Sequence, residues 1–109
     1  IINGGMLMKI LLVCSAGMST SLLVERMLAA AKERQLDVDI EARPIADTVQ
    51  YGQDADAIML GPQVRFQEEH IRSLFDENKP IAVIDMKDYG MMNGKKVLDE
   101  AIQLIESKK

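Results

Sequence analysis

The chain has 109 residues, 48% of them hydrophobic, an amount that suits one packed core and not two. A formal net charge of -4, two tyrosines and two phenylalanines without tryptophan, and the lack of any basic run argue against nucleic acid as a partner, because neither a phosphate-binding patch nor a stacking platform is present. No apolar segment approaches the roughly 20 residues needed to cross a bilayer and no secretory-signal pattern opens the chain, so a cytoplasmic protein with no membrane insertion is expected.

Ile1 to Leu7 carry no periodicity, and Met8-Lys9 has the pattern of a natural start, so residues 1–7 are expected to be an expression scar or disordered lead-in and 8–109 a single domain. Lys9 to Val13 is a continuous apolar run of strand length, the pattern of a central parallel strand covered on both faces. The small and polar stretch Cys14-Ser-Ala-Gly-Met-Ser-Thr-Ser21 follows, and then Leu23, Val24, Met27, Ala30 and Ala31 recur on one helical face with Glu25, Arg26, Lys32 and Glu33 on the other. Ser19, Thr20 and Ser21 are all good N-cap types for that helix. Val38 to Ala42 alternates apolar and acidic residues ahead of Pro44, as an edge strand with one wet face does.

Ile45 to Tyr51 predicts two turns of helix or less, ending near Gly52. A second buried run, Ala55 to Leu60, is broken by Gly61-Pro62, which places Gln63 in a loop at the carboxyl end of that strand. Val64, Ile71, Leu74 and Phe75 predict a third helix over Val64 to Phe75; His70, among charged neighbours there, reads as a solvated side chain with no role. Ile81 to Ile84 predicts a fourth strand closing with Asp85, and the stretch from Met86 to Lys96 is either a short helix or a loop passing close to the Cys14 segment. Val97, Ala101, Leu104 and Ile105 define a C-terminal helix. Strands alternating with helices give an α/β domain with an open four-stranded parallel sheet, order 2-1-3-4, and helices on both faces. Ligands bind such sheets outside the carboxyl ends of the strands, so the segments after Val13, Leu60 and Ile84 should converge on one site.

The Cys14–Ser21 loop is the candidate for that site. Amides at a helix start have no intrahelical partner, the helix dipole places roughly half a positive charge there, and small residues let the backbone close around a phosphate-sized anion. A cysteine in such a place ionises well below its usual pKa of about 8.5, and the thiolate is the nucleophile. Cys14, the only cysteine, has no partner for an internal disulfide and cannot by itself supply a metal site; no metal and no cofactor are expected. Its spacing to Thr20-Ser21 matches the Cys-x5-Arg-Ser/Thr loop of the low-molecular-weight tyrosine phosphatases, with the arginine missing. Threonine can neither clamp a phosphoryl group bidentately nor stabilise its transition state as guanidinium does, so a phosphocysteine formed here should be hydrolysed slowly, as a carrier requires.

From Met8 to the last helix the sequence resembles the cytoplasmic IIB component of the bacterial sugar phosphotransferase system, in its lactose, cellobiose and chitobiose branch. ILLVCSAGMSTSLLV (Ile10–Val24), LGPQV (Leu60–Val64) and Tyr89-Gly90 carry the resemblance. It implies that Cys14 is the phosphorylation site and that Ser15, Ala16, Gly17, Met18, Ser19, Thr20 and Ser21 wrap the phosphate, with amides from Ala16 through Ser21 on its oxygens and the three hydroxyls as further donors. It further implies phosphohistidine of IIA as the donor and a β-glucoside or disaccharide on membrane-embedded IIC as the acceptor, with recruitment to the inner face of the membrane through IIC. Tyr89 is a candidate cover for the loop or an aromatic packed on the last helices, and Gln63 an accessory residue or a turn former. Met18, Met91 and Met92 are candidates for an adaptable docking rim or for core. Two alternatives stand beside this reading: a flavodoxin-like module holding the phosphate of FMN, against which the scarcity of aromatics counts, and a phosphatase.

Overall fold

The computed structural model describes residues 8–15 and 18–107, the side chains of Met18 and Ser19 excepted. Strand β1 (Met8–Cys14) is followed by helix α1 (Met18–Glu33), strand β2 (Val38–Pro44), a 3-10 turn (Ile45–Asp47) and helix α2 (Thr48–Gly52). Strand β3 (Ala57–Leu60), a 3-10 stretch (Pro62–Gln67) and helix α3 (Glu68–Ser73) come next, then strand β4 (Ile81–Val83), helix α4 (Met86–Gly90) and helix α5 (Gly94–Ser107). The four strands form one sheet in the order β2-β1-β3-β4, and every pairing is parallel. No helix among the described residues is long and apolar enough to cross a membrane.

Register and pleat split the apolar runs between two faces. β1 pairs with β2 from Met8↔Val38 to Cys14↔Pro44 and with β3 from Ile10↔Ala57 to Val13↔Leu60; β3 pairs with β4 from Ile58↔Ile81 to Leu60↔Val83. Side chains alternate along a strand, so Ile10, Leu12, Ala57 and Met59 enter one core with Leu23, Met27, Leu98 and Ala101 of α1 and α5. Leu11, Val13, Ile58 and Leu60 enter the other with Val64 and Ile71. This two-sided burial explains why the central strands read as unbroken apolar runs.

Helix ends are set by local chemistry. At the end of α1, Gln35 takes a left-handed φ of 57°, and the Leu36 amide donates to the Ala31 carbonyl at 2.9 Å while that of Gln35 donates to Lys32 at 3.1 Å, a Schellman closure. α4 closes the same way through Met92, φ 51°. Asn93 then starts α5, its Oδ1 accepting the Lys96 amide at 3.2 Å. Next in line is Gly94, where the N-terminus of α5 presses on the backbone of α1: a Cβ there would lie 2.5 Å from the carbonyl carbon of Arg26 and 2.6 Å from the amide nitrogen of Met27.

Several boundaries differ from the sequence reading. α1 begins at Met18, so Ser19, Thr20 and Ser21, expected as N-cap types, lie within its first turns and are not its N-caps. β2 runs through Pro44; proline is tolerated at the end of an edge strand because its missing N–H would face no neighbouring strand. Val64 to Phe75 is not one helix. Pro62–Gln67 winds as a 3-10 stretch with a non-helical Val64 (φ -115°, ψ 21°) before α3 starts at Glu68, and this break turns Phe66 outward to 78% exposure. Residues 1–7, expected to be a lead-in, lie outside the described residues.

Candidate functional site

Cys14 is the last residue of β1, so its backbone is still held by the sheet and its side chain falls on the α1 side, in phase with Leu12. In the structure the residue is only 2% exposed. The reason is that β1 continues one residue further than the apolar run, which carries Cys14 under α1 and beside the β3 loop. Gly61, whose amide donates to the Val13 carbonyl at 2.8 Å, approaches so closely that a Cβ on it would stand 3.4 Å from the Cβ of Cys14 and 2.6 Å from Oε1 of Gln63. The chain break at Gly61-Pro62 thus leaves Gly61 close to both Cys14 and the Gln63 side chain.

A polar group reaches the sulfur from α1. Thr20, 1% exposed, donates from Oγ1 to the Sγ of Cys14 at 2.9 Å, and the same Oγ1 lies 3.1 Å from the phenol oxygen of Tyr89. Beginning α1 at Met18 puts Thr20 in the first turn facing back along β1, which is what lets the hydroxyl reach the sulfur. In such a first turn the amides of Met18, Ser19 and Thr20 precede any intrahelical acceptor, and the positive end of the helix dipole lies there. Ser15 and Ser21 are exposed. Ala16 and Gly17 lie outside the described residues, as do the side chains of Met18 and Ser19.

Tyr89 reaches the site from the other end of the chain. Asp85 caps α4, its carboxylate accepting the Lys87 amide at 3.1 Å and that of Asp88 at 3.3 Å, and the Tyr89 amide donates to the Asp85 carbonyl at 2.9 Å. The ring is buried in the core shared by α1 and α5. Tyr89 thus packs with the last helices, one of the two roles weighed for it, while its hydroxyl meets Thr20 of α1. The segments after β1, β3 and β4 do converge at one end of the sheet, as the parallel topology requires.

Beside that convergence Pro62, Gln63, Arg65, Phe66, Met86 and Tyr89 line one groove. Sequence reasoning missed Phe66 and Met86, exposed by 78% and 61%; the available signal was that Phe66 is out of phase with Val64 and Ile71. The methionine pair divides: Met91 is 63% exposed, whereas Met92 packs against the core. His70 is exposed. Arg43, one residue from the end of β2, is in register with Val13 and so belongs to the opposite face of the sheet, where it stacks 3.9 Å from the Tyr51 ring centroid and donates to Glu41 at 2.7 Å. Among the described residues no group of three His, Cys, Asp or Glu side chains is placed to hold a metal ion.

The sequence profile described as the lactose/cellobiose-specific IIB subunit of the phosphotransferase (PTS) system matches residues 9–100. The oligo-beta-mannoside-specific EIIB component of Bacillus subtilis is 40% identical over 98 residues, covering 89% of this chain and 95% of that protein. The galactose-specific EIIB component of Lactococcus lactis is 42% identical over 102 residues, 88% of this chain and 94% of its own. Among solved structures, the cellobiose-specific IIB component of Borrelia burgdorferi superposes with a TM-score of 0.82 at 39% identity, covering 97% of this chain and 98% of that one.

Proposed function

This chain belongs to the lactose/cellobiose-specific IIB family of the phosphotransferase system, and from that premise we propose that it is a cytoplasmic phosphoryl carrier acting through Cys14. The donor is a phosphohistidine of the IIA component. The Cys14 thiolate attacks its phosphorus, an S–P bond forms, the N–P bond breaks, and the imidazole leaves with the electron pair and takes up a proton. In the second step a hydroxyl oxygen of a β-glucoside or disaccharide of the cellobiose, chitobiose or lactose type, bound by the membrane IIC component, attacks the same phosphorus. The S–P bond then breaks, the pair returns to sulfur, and the hydroxyl proton passes to a base on the acceptor side.

The observation that carries the reading is the place of the sulfur: at the end of a central strand, beside the first turn of α1, with a buried hydroxyl donating to it. First-turn amides together with the loop residues Ser15 to Ser21 are assigned to the phosphoryl oxygens. Thr20 holds the position of the phosphatase arginine and Arg43 is turned to the other face of the sheet, both of which favour storage of the phosphoryl group over hydrolysis. Because the flanking strand and the β3 loop enclose Cys14, partners are expected to approach from the carboxyl end of the sheet, over the groove holding Phe66 and Met86. The relatives carry the names of different sugars at similar identity, in keeping with a protein that handles only the phosphoryl group. Incubation with phosphorylated IIA is expected to add the mass of one phosphoryl group to the wild type and none to Cys14→Ser; an undiminished gain in the variant overturns the assignment.

A further inference from the structure

With its sulfur ionised, Cys14 can only accept hydrogen bonds. The single proton of Thr20 is then committed to Sγ at 2.9 Å, and the 3.1 Å contact between Thr20 Oγ1 and the Tyr89 hydroxyl is a hydrogen bond only if the phenol is the donor. We propose that Tyr89 is a positioning residue for the chemistry at Cys14: its phenol donates to Thr20 Oγ1 and thereby holds the threonine proton on the sulfur. The inference rests on reading Cys14 as the phosphoryl acceptor.

The need for such a device is local. A threonine in a helix can turn its hydroxyl back onto a carbonyl of the preceding turn, and a hydroxyl rotor has no directional preference of its own. A donor fixed on one lone pair of Oγ1 selects the rotor that points at Sγ. Tyr89 is well placed to be that fixed donor, since α4 is held at both ends, by the Asp85 cap and by the closure through Met92, and its ring is buried in the core that also contains Met27, Val97 and Leu98. Thr20 and Tyr89 are both buried, and in a low-dielectric setting each bond in such a chain polarises the next.

The consequence differs between the two transfers. When the phosphoryl group leaves, the S–P electron pair returns to sulfur and negative charge grows where Thr20 donates, so the hydrogen bond strengthens and no proton changes owner. When sulfur attacks, the same bond withdraws electron density from the nucleophile. Loss of the phenol donor should therefore slow transfer out of the phosphocysteine more than transfer into it.

The test is the ionisation of Cys14, followed by the ultraviolet absorbance of its thiolate over pH in the unphosphorylated protein, for wild type, Thr20→Val, Tyr89→Phe and the double variant. Thr20→Val is expected to raise the ionisation midpoint by about 1 to 2 pH units, the size of one hydrogen bond to a charged group. Tyr89→Phe should raise it by a smaller amount in the wild-type background and leave it unchanged in Thr20→Val, while Thr20→Ser restores the dependence on Tyr89. No shift in Tyr89→Phe, or the same shift with and without the Thr20 hydroxyl, overturns the proposal. Should Tyr89→Phe fail to fold, fluorotyrosine at position 89, a stronger donor, is expected to lower the midpoint in the wild type only; an equal effect in Thr20→Val overturns it. None of these readouts needs IIA or sugar, so they fail separately from the carrier reading, which falls with the Cys14→Ser mass measurement.

Discussion

Replacing Gly94 by alanine probes the contact that locks the C-terminal helix to the helix bearing the site. The added methyl would begin 2.5 Å from the carbonyl carbon of Arg26, 2.6 Å from the Met27 nitrogen and 2.7 Å from the Arg26 Cβ. Two of these three are backbone atoms of α1, so no rotamer change relieves the overlap, and reaching an ordinary carbon–carbon separation moves the start of α5 away by about 1 Å. Val97, Leu98 and Ala101, all fully buried against α1 and the sheet, would be drawn out of their packing with it. Overpacking of this kind costs about 1 to 3 kcal/mol. The reduced freedom of the unfolded alanine chain returns about 0.4 to 1 kcal/mol. The expected net loss of about 1 to 2 kcal/mol corresponds to a Tm lower by about 4 to 8 °C for a domain of this size. Thermal unfolding followed by circular dichroism measures it, with urea midpoints as the isothermal check. A Tm for Gly94→Ala equal to or above that of the wild type would show that α1 and α5 can separate without loss, and would refute the reasoning from close approach.

Other perturbations address charge and the outer face. Burial, and then the neighbouring Asp88, holds the Glu100 carboxyl above the usual carboxylate range; the folded state binds its proton more readily than the unfolded one, so this group lowers stability as pH rises from the ordinary carboxylate range through its folded value. Glu100→Gln is accordingly expected to raise the urea midpoint near neutral pH, with the gain fading once the pH falls below the ordinary carboxylate range; a gain that persists in acid would point to packing as its source. Phe66→Ser, at a side chain 78% exposed, should leave stability within about 0.5 kcal/mol of the wild type while slowing phosphoryl uptake from IIA by about fivefold or more, as loss of an aromatic anchor does at an interface. Stopped-flow transfer rates decide it, and an unchanged rate would remove the Phe66 groove from the docking surface. Inorganic phosphate should slow alkylation of Cys14 by iodoacetamide, and the absence of any protection would argue that the first turn of α1 does not bind anions.

The α/β class, the order of the strands and the two helices α1 and α5 were legible in the sequence because each depends on something local: the period of apolar residues and the handedness that parallel connections obey. The faces of α1 and α5 follow from the same periodicity, and the burial of Met27 and Ala101 agrees with it. What periodicity could not carry was depth and register. One further residue of pairing, Cys14 with Pro44, draws the sulfur into the fold, and the start of α1 at Met18 turns Thr20 from a cap into a donor to that sulfur. Those outcomes depend on where the neighbouring strand ends. Likewise the contact between Thr20 and Tyr89 spans 69 positions, and the outward turn of Phe66 follows from a break at Val64 that its apolar neighbours conceal. The chain's own pattern determined the fold class and singled out Cys14 as the candidate nucleophile; only the packing of distant segments decided what that residue touches, because a hydrogen bond between side chains is fixed by the positions of both backbones and no local sequence signal encodes the second.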